Sequence, residues 1–375
     1  MLTFGIDRIG EERELLRGRL ALITSPAGRT SDNRSSIEAV RAVGDLRLLL
    51  APEHGVRGDK DAGELFGDCV DGPSGLPMMS LYRKGSQHLP QEALDAFDTL
   101  VYDIQDVGCR YYTFISSLKN AMEDCAAAGK RLVVADRPDP LGTASEGTLL
   151  QSGCESFVGC YGMPPRYGLT CGEFARMVNE ELHLGCDLHV VRCGGLKRDM
   201  DFADWGKVWV MPSLAMPRFE TALLYPGTCL LEGTNCSEGR GTADPFAILG
   251  APFYGAEELH RGFEALGEPG VVSTPVWFTP TSSKHAGVKC GGIHLHITDR
   301  RALRPVALGL RLLELLQKLS PEFSFLPPVQ EGGRPFISLL TGTQTRRPAE
   351  EVIVRGMEES REFAERTEQF RLYGV

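Results

Sequence analysis

The sequence contains no C-x-x-C pair, although eleven cysteines are scattered between Cys69 and Cys290. Zinc sites draw on closely spaced ligand pairs, and secreted disulfide frameworks pack many cysteines into a short chain. Neither pattern is present, so the cysteines read as free, mostly buried thiols in a reducing compartment. Basic runs and RRM-like aromatic signatures are missing too, and the formal net charge is −10. A phosphate backbone needs a basic footprint, so nucleic acid is not an expected partner. No stretch approaches the roughly 20 apolar residues of a membrane span. The opening "MLTFGIDRIGEERELL" has no apolar core of signal-peptide length and is acidic where a leader is basic. As it stands the chain is expected in the cytoplasm; with a leader removed, it would belong to the periplasm or the exterior. The dinucleotide fingerprint, the P-loop and the G-x-S-x-G elbow are also absent, which leaves a nucleotide cradle weakly supported and no obvious serine nucleophile.

What is present is alternation. At 375 residues, two domains are expected. Five short apolar runs, "LALIT" (20–24), "LRLLL" (46–50), "LVYDI" (100–104), "LVVA" (132–135) and "LHVV" (188–191), are separated by segments with helical spacing at 35–43, 113–129 and 170–182. Ser35 or Ser36 can cap the first helix, and Gly129 sits where a helix-ending glycine belongs. Such alternation predicts an α/β domain whose parallel sheet is covered on both faces. From about residue 218 the texture changes. "GIHLHITD" (292–299) alternates as a strand with His294 and His296 on one face, and "PVALGLRLLELLQKL" (305–319) reads as a helix with proline at its start. A smaller α+β domain is expected there, with the boundary in the proline-bearing stretch 211–219, giving domains 1–217 and 218–375.

Four of the predicted strands run directly into polar loops: "SPAGRTSDN", "APEHGVRGD", "QDVGCRYY" and "DRPDP". Ligands of open α/β sheets bind beyond the carboxyl ends of the strands, so these loops predict a cleft. Glu53 beside His54 suits a general acid, since a carboxyl group in a partly dry cleft can hold its proton near neutral pH. A loop glutamate pairing with Arg57 is the plain alternative. Asp103, Gln105, Asp106, Arg110, Tyr111 and Tyr112 combine carboxylates with aromatic faces, the mixture that sugar sites use. Asp136 and Arg137 lie in a rigid proline turn that is either structural or ligand-facing. Glu232, Asn235, Glu238 and Arg240 cluster in a glycine-rich run, and Lys284 and His285 follow in "FTPTSSKHAG". His294 and His296 lack a third ligand, so no metal is predicted.

The blocks "PEHGVRGD" (52–59), "YDIQDVGCRYYTFISSL" (102–118), "DRPDPLG" (136–142), "YPGTCLLEGTNCSEGRGT" (225–242) and "FTPTSSKHAG" (278–287) resemble the exo-β-N-acetylmuramidases of the NamZ family. The resemblance covers most of the chain and thins after about residue 325. It implies a Rossmann-like N-terminal domain, a smaller C-terminal domain and a cleft between them. It also implies release of terminal N-acetylmuramic acid from the non-reducing end of peptidoglycan fragments, with no cofactor and with a small carbohydrate or muropeptide as substrate. The family's proposed catalytic glutamate matches Glu53. A second group is then needed, with Asp136, Glu232 and Glu238 as candidates. A carboxylate roughly 5 Å from the acid would imply retention, and one at roughly 6.5–9.5 Å inversion. The substrate's own acetamido group is a third route. The lactyl carboxylate of muramic acid calls for a cation, to be found among Arg57, Arg110, Arg137, Arg166, Arg240 and Lys284. The competing readings are an enzyme acting on a nucleotide-linked or phosphorylated sugar, with phosphate at the Gly28–Arg29 loop, and a non-catalytic muropeptide sensor.

Overall fold

The apolar runs of the first half become neighbouring strands. A computed structural model describes residues 1–61, 63–83, 85–328, 332–345 and 347–374. Its larger sheet has seven strands: β1 (Arg19–Thr24), β2 (Asp45–Ala51), β3 (Cys69–Val70), β4 (Pro77–Ser80), β5 (Thr99–Asp103), β6 (Arg131–Ala135) and β7 (Asp187–Val191). They lie in the order β3-β4-β2-β1-β5-β6-β7, parallel throughout except for β3. Strands covered on both faces need continuous rather than alternating apolar character. Leu20, Ala21, Leu22 and Ile23 are accordingly all fully buried. Leu20 and Leu22 face one core and Ala21 and Ile23 the other. The pair β3 and β4 went unpredicted, because two and four residues around the turn "DGPSG" are too short to show a period.

Helix ends follow the expected capping chemistry. Ser35 Oγ accepts from the Ile37 amide, and Thr170 and Glu173 form a reciprocal capping box on the helix Cys171–Glu181. Gly129 takes a left-handed φ of 61° just past Phe114–Ala127. The second half contains a three-stranded antiparallel sheet, β8 (Ile248–Ala251), β9 (Val271–Phe278) and β10 (Cys290–Ile297), in the order β8-β10-β9. His294 and His296 do share a face, with ring centroids 4.3 Å apart, but His294 bonds to Asp244 and His296 to Thr274. Among the described residues no helix is long and apolar enough to cross a membrane.

One hydrophobic cluster continues from the large sheet (Leu100, Val134) to the small one (Leu249, Ile293) and its helices. The helices Phe219–Thr228 and Pro305–Leu319 meet at paired glycines. A Cβ on Gly309 would lie 2.4 Å from the Gly227 carbonyl oxygen, a contact that only backbone movement relieves. Gly309→Ala is therefore expected to destabilise the fold by about 1–3 kcal/mol through overpacking, measured by chemical denaturation. An unchanged unfolding midpoint would show that the two helices are not locked together there.

Candidate active site

Beyond the carboxyl ends of β2 and β5 lies a cavity of about 520 Å³ that takes its walls from both halves of the chain. Pro52 ends β2, and His54 and Gly55 then adopt successive left-handed φ values of 72° and 74°. This sharp reversal leaves Glu53 on the cavity wall. Its Oε1 accepts from the Gly63 amide at 2.9 Å and its Oε2 from the Thr113 hydroxyl at 2.5 Å. Thr113 precedes the helix Phe114–Ala127, where a hydroxyl ordinarily caps the helix. Here it makes no cap and serves Glu53 instead. His54 stacks on Tyr112 with centroids 6.5 Å apart, and its Nδ1 lies 3.2 Å from the Lys60 carbonyl. Burial pulls the His54 pKa down, against the opposing charge of Glu53, so the imidazole is neutral at pH 7.

The opposite wall carries two acids and two cations. Arg240 donates from Nε and Nη2 to Glu232 Oε1 at 3.0 and 2.8 Å, and its Nε lies 3.6 Å from Glu238. Lys284 Nζ reaches Glu238 Oε2 at 2.8 Å and the Leu231 and Thr234 carbonyls at 2.7 and 3.0 Å. Nζ thus hydrogen-bonds to two backbone carbonyls and is paired by charge with Glu238. Burial pushes the Glu232 pKa up and Glu238 beside it adds to this, against the pull of Arg240. The glycines around Arg240 are required by geometry. Gly239 and Gly241 have φ of 86° and 78°, and a Cβ on either would strike backbone at 2.2 and 2.5 Å. Tyr112, Tyr225 and Phe246 form an edge-to-face aromatic floor with centroid separations of 5.7 and 4.8 Å. Six non-glycine residues have positive φ among those described, and three of them, His54, Phe246 and Ser283, line this cavity. Strained backbone of this kind persists where function holds it.

Comparison with known proteins gives a concordant result. Residues 20–220 match the N-terminal domain described as "Exo-beta-N-acetylmuramidase NamZ", and residues 223–373 match its C-terminal domain. The chain belongs to the NamZ family. The "Peptidoglycan beta-N-acetylmuramidase NamZ" of Bacillus subtilis strain 168 is 43% identical over 328 residues, covering 86% of this chain and 79% of that protein. Two crystal structures of DUF1343 family proteins from Bacteroides fragilis share the fold. One has a TM-score of 0.88 at 31% identity, covering 99% of both chains; the other has 0.78 at 25% identity, covering 100% of this chain and 99% of its own.

Within this NamZ-family fold, the residues singled out from sequence divide into two sets. Glu53, His54, Tyr111, Tyr112, Glu232, Glu238, Arg240 and Lys284 line the cavity together. The others do not reach it, each for an identifiable reason. Arg57 forms a two-point ion pair with buried Asp71 at 2.7 and 2.8 Å, which lowers the Asp71 pKa to about 2. Asp103 and Arg137 pair with each other in the interior, 0% and 2% exposed. Gln105 donates to the Asp106 and Pro138 carbonyls. Arg110, fully buried, donates to the Thr148, Met163 and Leu340 carbonyls and so binds distant segments together. Asp136 accepts from the amides of Arg137 and Gly172 and the hydroxyls of Thr170 and Tyr373, and its pKa is pushed up to about 6 by burial. Asn235 brackets the 322–324 backbone, and His285 bonds to the Asn235 carbonyl. Arg166 lines a separate, larger cavity of about 890 Å³ that Glu53 does not reach. The smaller cavity is the better candidate because it joins convergent acids, aromatic faces and strained backbone. Thr113, Gly63, Tyr82, Tyr225 and Phe246 were not singled out from sequence. Only Thr113, a hydroxyl directly before a helix, gave a signal that could have been read.

Proposed function

We propose that this chain is an exo-acting glycoside hydrolase that releases terminal β-linked N-acetylmuramic acid from the non-reducing end of peptidoglycan fragments, with Glu53 as its general acid. The observation that carries the reading is a cavity-lining carboxyl group held at both oxygens by Gly63 and Thr113, in a chain whose two halves both match the family. Glu53 gives its proton to the glycosidic oxygen as the bond to C1 breaks and its electron pair leaves with that oxygen. Water adds at C1 and returns a proton to Glu53. Positive charge developing at C1 is met by a carboxylate of the opposite wall, Glu232 or Glu238, while Asp136, locked in the framework, takes no part. Residues 1–217 supply the acid and 218–375 the facing ion cluster.

Muramic acid differs from glucosamine by its lactyl carboxylate, and Arg240 is the group placed to read it. Lys284 is committed to two backbone carbonyls and its ion pair with Glu238, whereas Arg240 Nη1 makes no hydrogen bond among the described residues. The nucleotide-sugar alternative has less support. The Gly28 amide is spent on Ser25 and Arg137 is paired with Asp103, and the cavity beside them, lined by Ala27, Arg29, Gln105 and Arg137, is only about 150 Å³. All eleven cysteines are free thiols, and we place the reaction in a reducing compartment.

Chromogenic β-N-acetylmuramide and β-N-acetylglucosaminide, compared under the same conditions, test the reading. The muramide is expected to be turned over at least about 100-fold more efficiently in kcat/KM, since a site built to pair a polar group rejects an analogue lacking it by up to about 10⁴–10⁵-fold. Equal turnover would remove Arg240 as the reader of the carboxylate. Tight binding of muramic acid with no release from either glycoside would favour the sensor.

A further inference from the structure

Parallel pairing of β2 with β4 sets Ala51 opposite Ser80, and the Leu81 amide donates to the Ala51 carbonyl at 2.8 Å. Two residues beyond each end stand Glu53 and Tyr82, which therefore emerge side by side. Tyr82 lines the catalytic cavity, where its ring lies 6.1 Å from that of Phe157. It also lines a second, open hollow of about 270 Å³, whose other walls are Leu65, Phe66, Gly67, Asp68 and Arg83. Antiparallel pairing of β3 with β4 explains the contiguity, since it lays the residues before Cys69 alongside those after Ser80. The hollow thus continues outward from Glu53 towards the sheet edge, with Tyr82 as the shared wall.

This hollow is braced before anything binds. Arg83 Nη2 donates to both oxygens of Asp68 at 2.7 and 2.9 Å, and its Nε donates to the Ser80 carbonyl at 2.7 Å. Asp68 in turn accepts from the Ser80 amide at 3.0 Å. Phe66 rests one side on the core, Leu65 is 53% exposed, and among the described residues none beyond its chain neighbours comes within 4 Å of where a Gly67 Cβ would stand. Aromatic and aliphatic faces beside a fixed guanidinium–carboxylate pair suit a sugar ring, with its apolar faces and hydroxyl rim. An enzyme that takes one terminal sugar into a walled cavity must leave the rest of the chain outside. We propose that this hollow is the binding groove for the leaving-group side of the substrate, holding the next β-linked aminosugars of the glycan after they cross Tyr82.

The inference rests on the hydrolase reading, and its test separates the two. Initial rates are measured on the muramic acid–glucosamine disaccharide (both N-acetylated) and on the tetrasaccharide of the same alternating sugars with muramic acid at its non-reducing end. The wild type is expected to favour the tetrasaccharide by about tenfold in kcat/KM, the scale of one well-packed ring contact. Phe66→Ala and Arg83→Ala should each bring that ratio close to one, whereas Met357→Ser, in the separate larger cavity, should keep it. Arg83 is surface-facing, so its variant stands if loss of Phe66 from the core prevents folding. A wild-type ratio near one, or a ratio that survives in a folded Arg83→Ala, overturns the groove while leaving the hydrolase intact. Failure to cleave either oligosaccharide overturns the hydrolase itself.

Discussion

Glu53→Gln is expected to lower kcat on the muramic acid–glucosamine disaccharide (both N-acetylated), whose leaving group needs a proton, by about 10³-fold, within the range that positioned general acids contribute. The amide is the same size and keeps an oxygen for the Gly63 amide, and the Thr113 hydroxyl can rotate to accept rather than donate. What it cannot do is deliver a proton to the departing oxygen. The loss should therefore fall on kcat with little change in KM, the pattern of an interaction made only in the transition state. Binding of free N-acetylmuramic acid, followed by calorimetry, should stay within a few-fold of wild type, since Arg240 and the aromatic floor are untouched. Activity within tenfold of wild type would mean that the proton comes from elsewhere. Loss of product binding together with activity would make Glu53 a binding residue and not the acid.

Asp103→Ala is expected to cost about 3–5 kcal/mol of stability, the range for removing one partner of a buried ion pair. Arg137 Nε and Nη2 meet the two Asp103 oxygens at 2.6 and 2.9 Å, and Ser36 Oγ also bonds to that carboxylate. Arg137 continues to the Arg29 carbonyl at 2.7 Å and lies 4.9 Å from the Phe4 ring. The pair thus ties the loops after β1, β5 and β6 together, and without Asp103 a guanidinium stays buried with no counter-charge. Asp103→Leu combined with Arg137→Met should be more stable than either single variant, because no charge is then left unpaired in the interior. Denaturant midpoints of the four proteins check this. Additive losses would show that the two residues act independently, against the geometry.

Local patterns were read with little error. The runs at 20–24, 46–50, 100–104, 132–135 and 188–191 each fall within one residue of a strand, and Ser35 caps the helix placed after it. Their signal survives because burial of a parallel sheet demands apolar character at every position. The strands β3 and β4 were illegible, and with them the hollow beside Tyr82, since so few residues carry no period. The cation set was the weakest part of the reading. Six basic residues formed the pool, with arginine preferred for its two-point geometry, yet Arg57, Arg110, Arg137 and Arg166 all lie outside the cavity.

The residues by themselves determined the alternation of strands and helices, the polar loops at the strand ends and the place of Glu53 in one of them, because each is written in neighbouring positions. Tertiary structure alone decided which polar groups are available to a substrate. Arg137 is neutralised by a partner 34 positions away, Glu53 is held by a hydroxyl 60 positions away, and Lys284 is spent on carbonyls 50 and 53 positions away. Charge and hydrogen-bonding capacity are properties of a residue type, but whether they remain free depends on burial and on partners that only the fold brings within 3 Å.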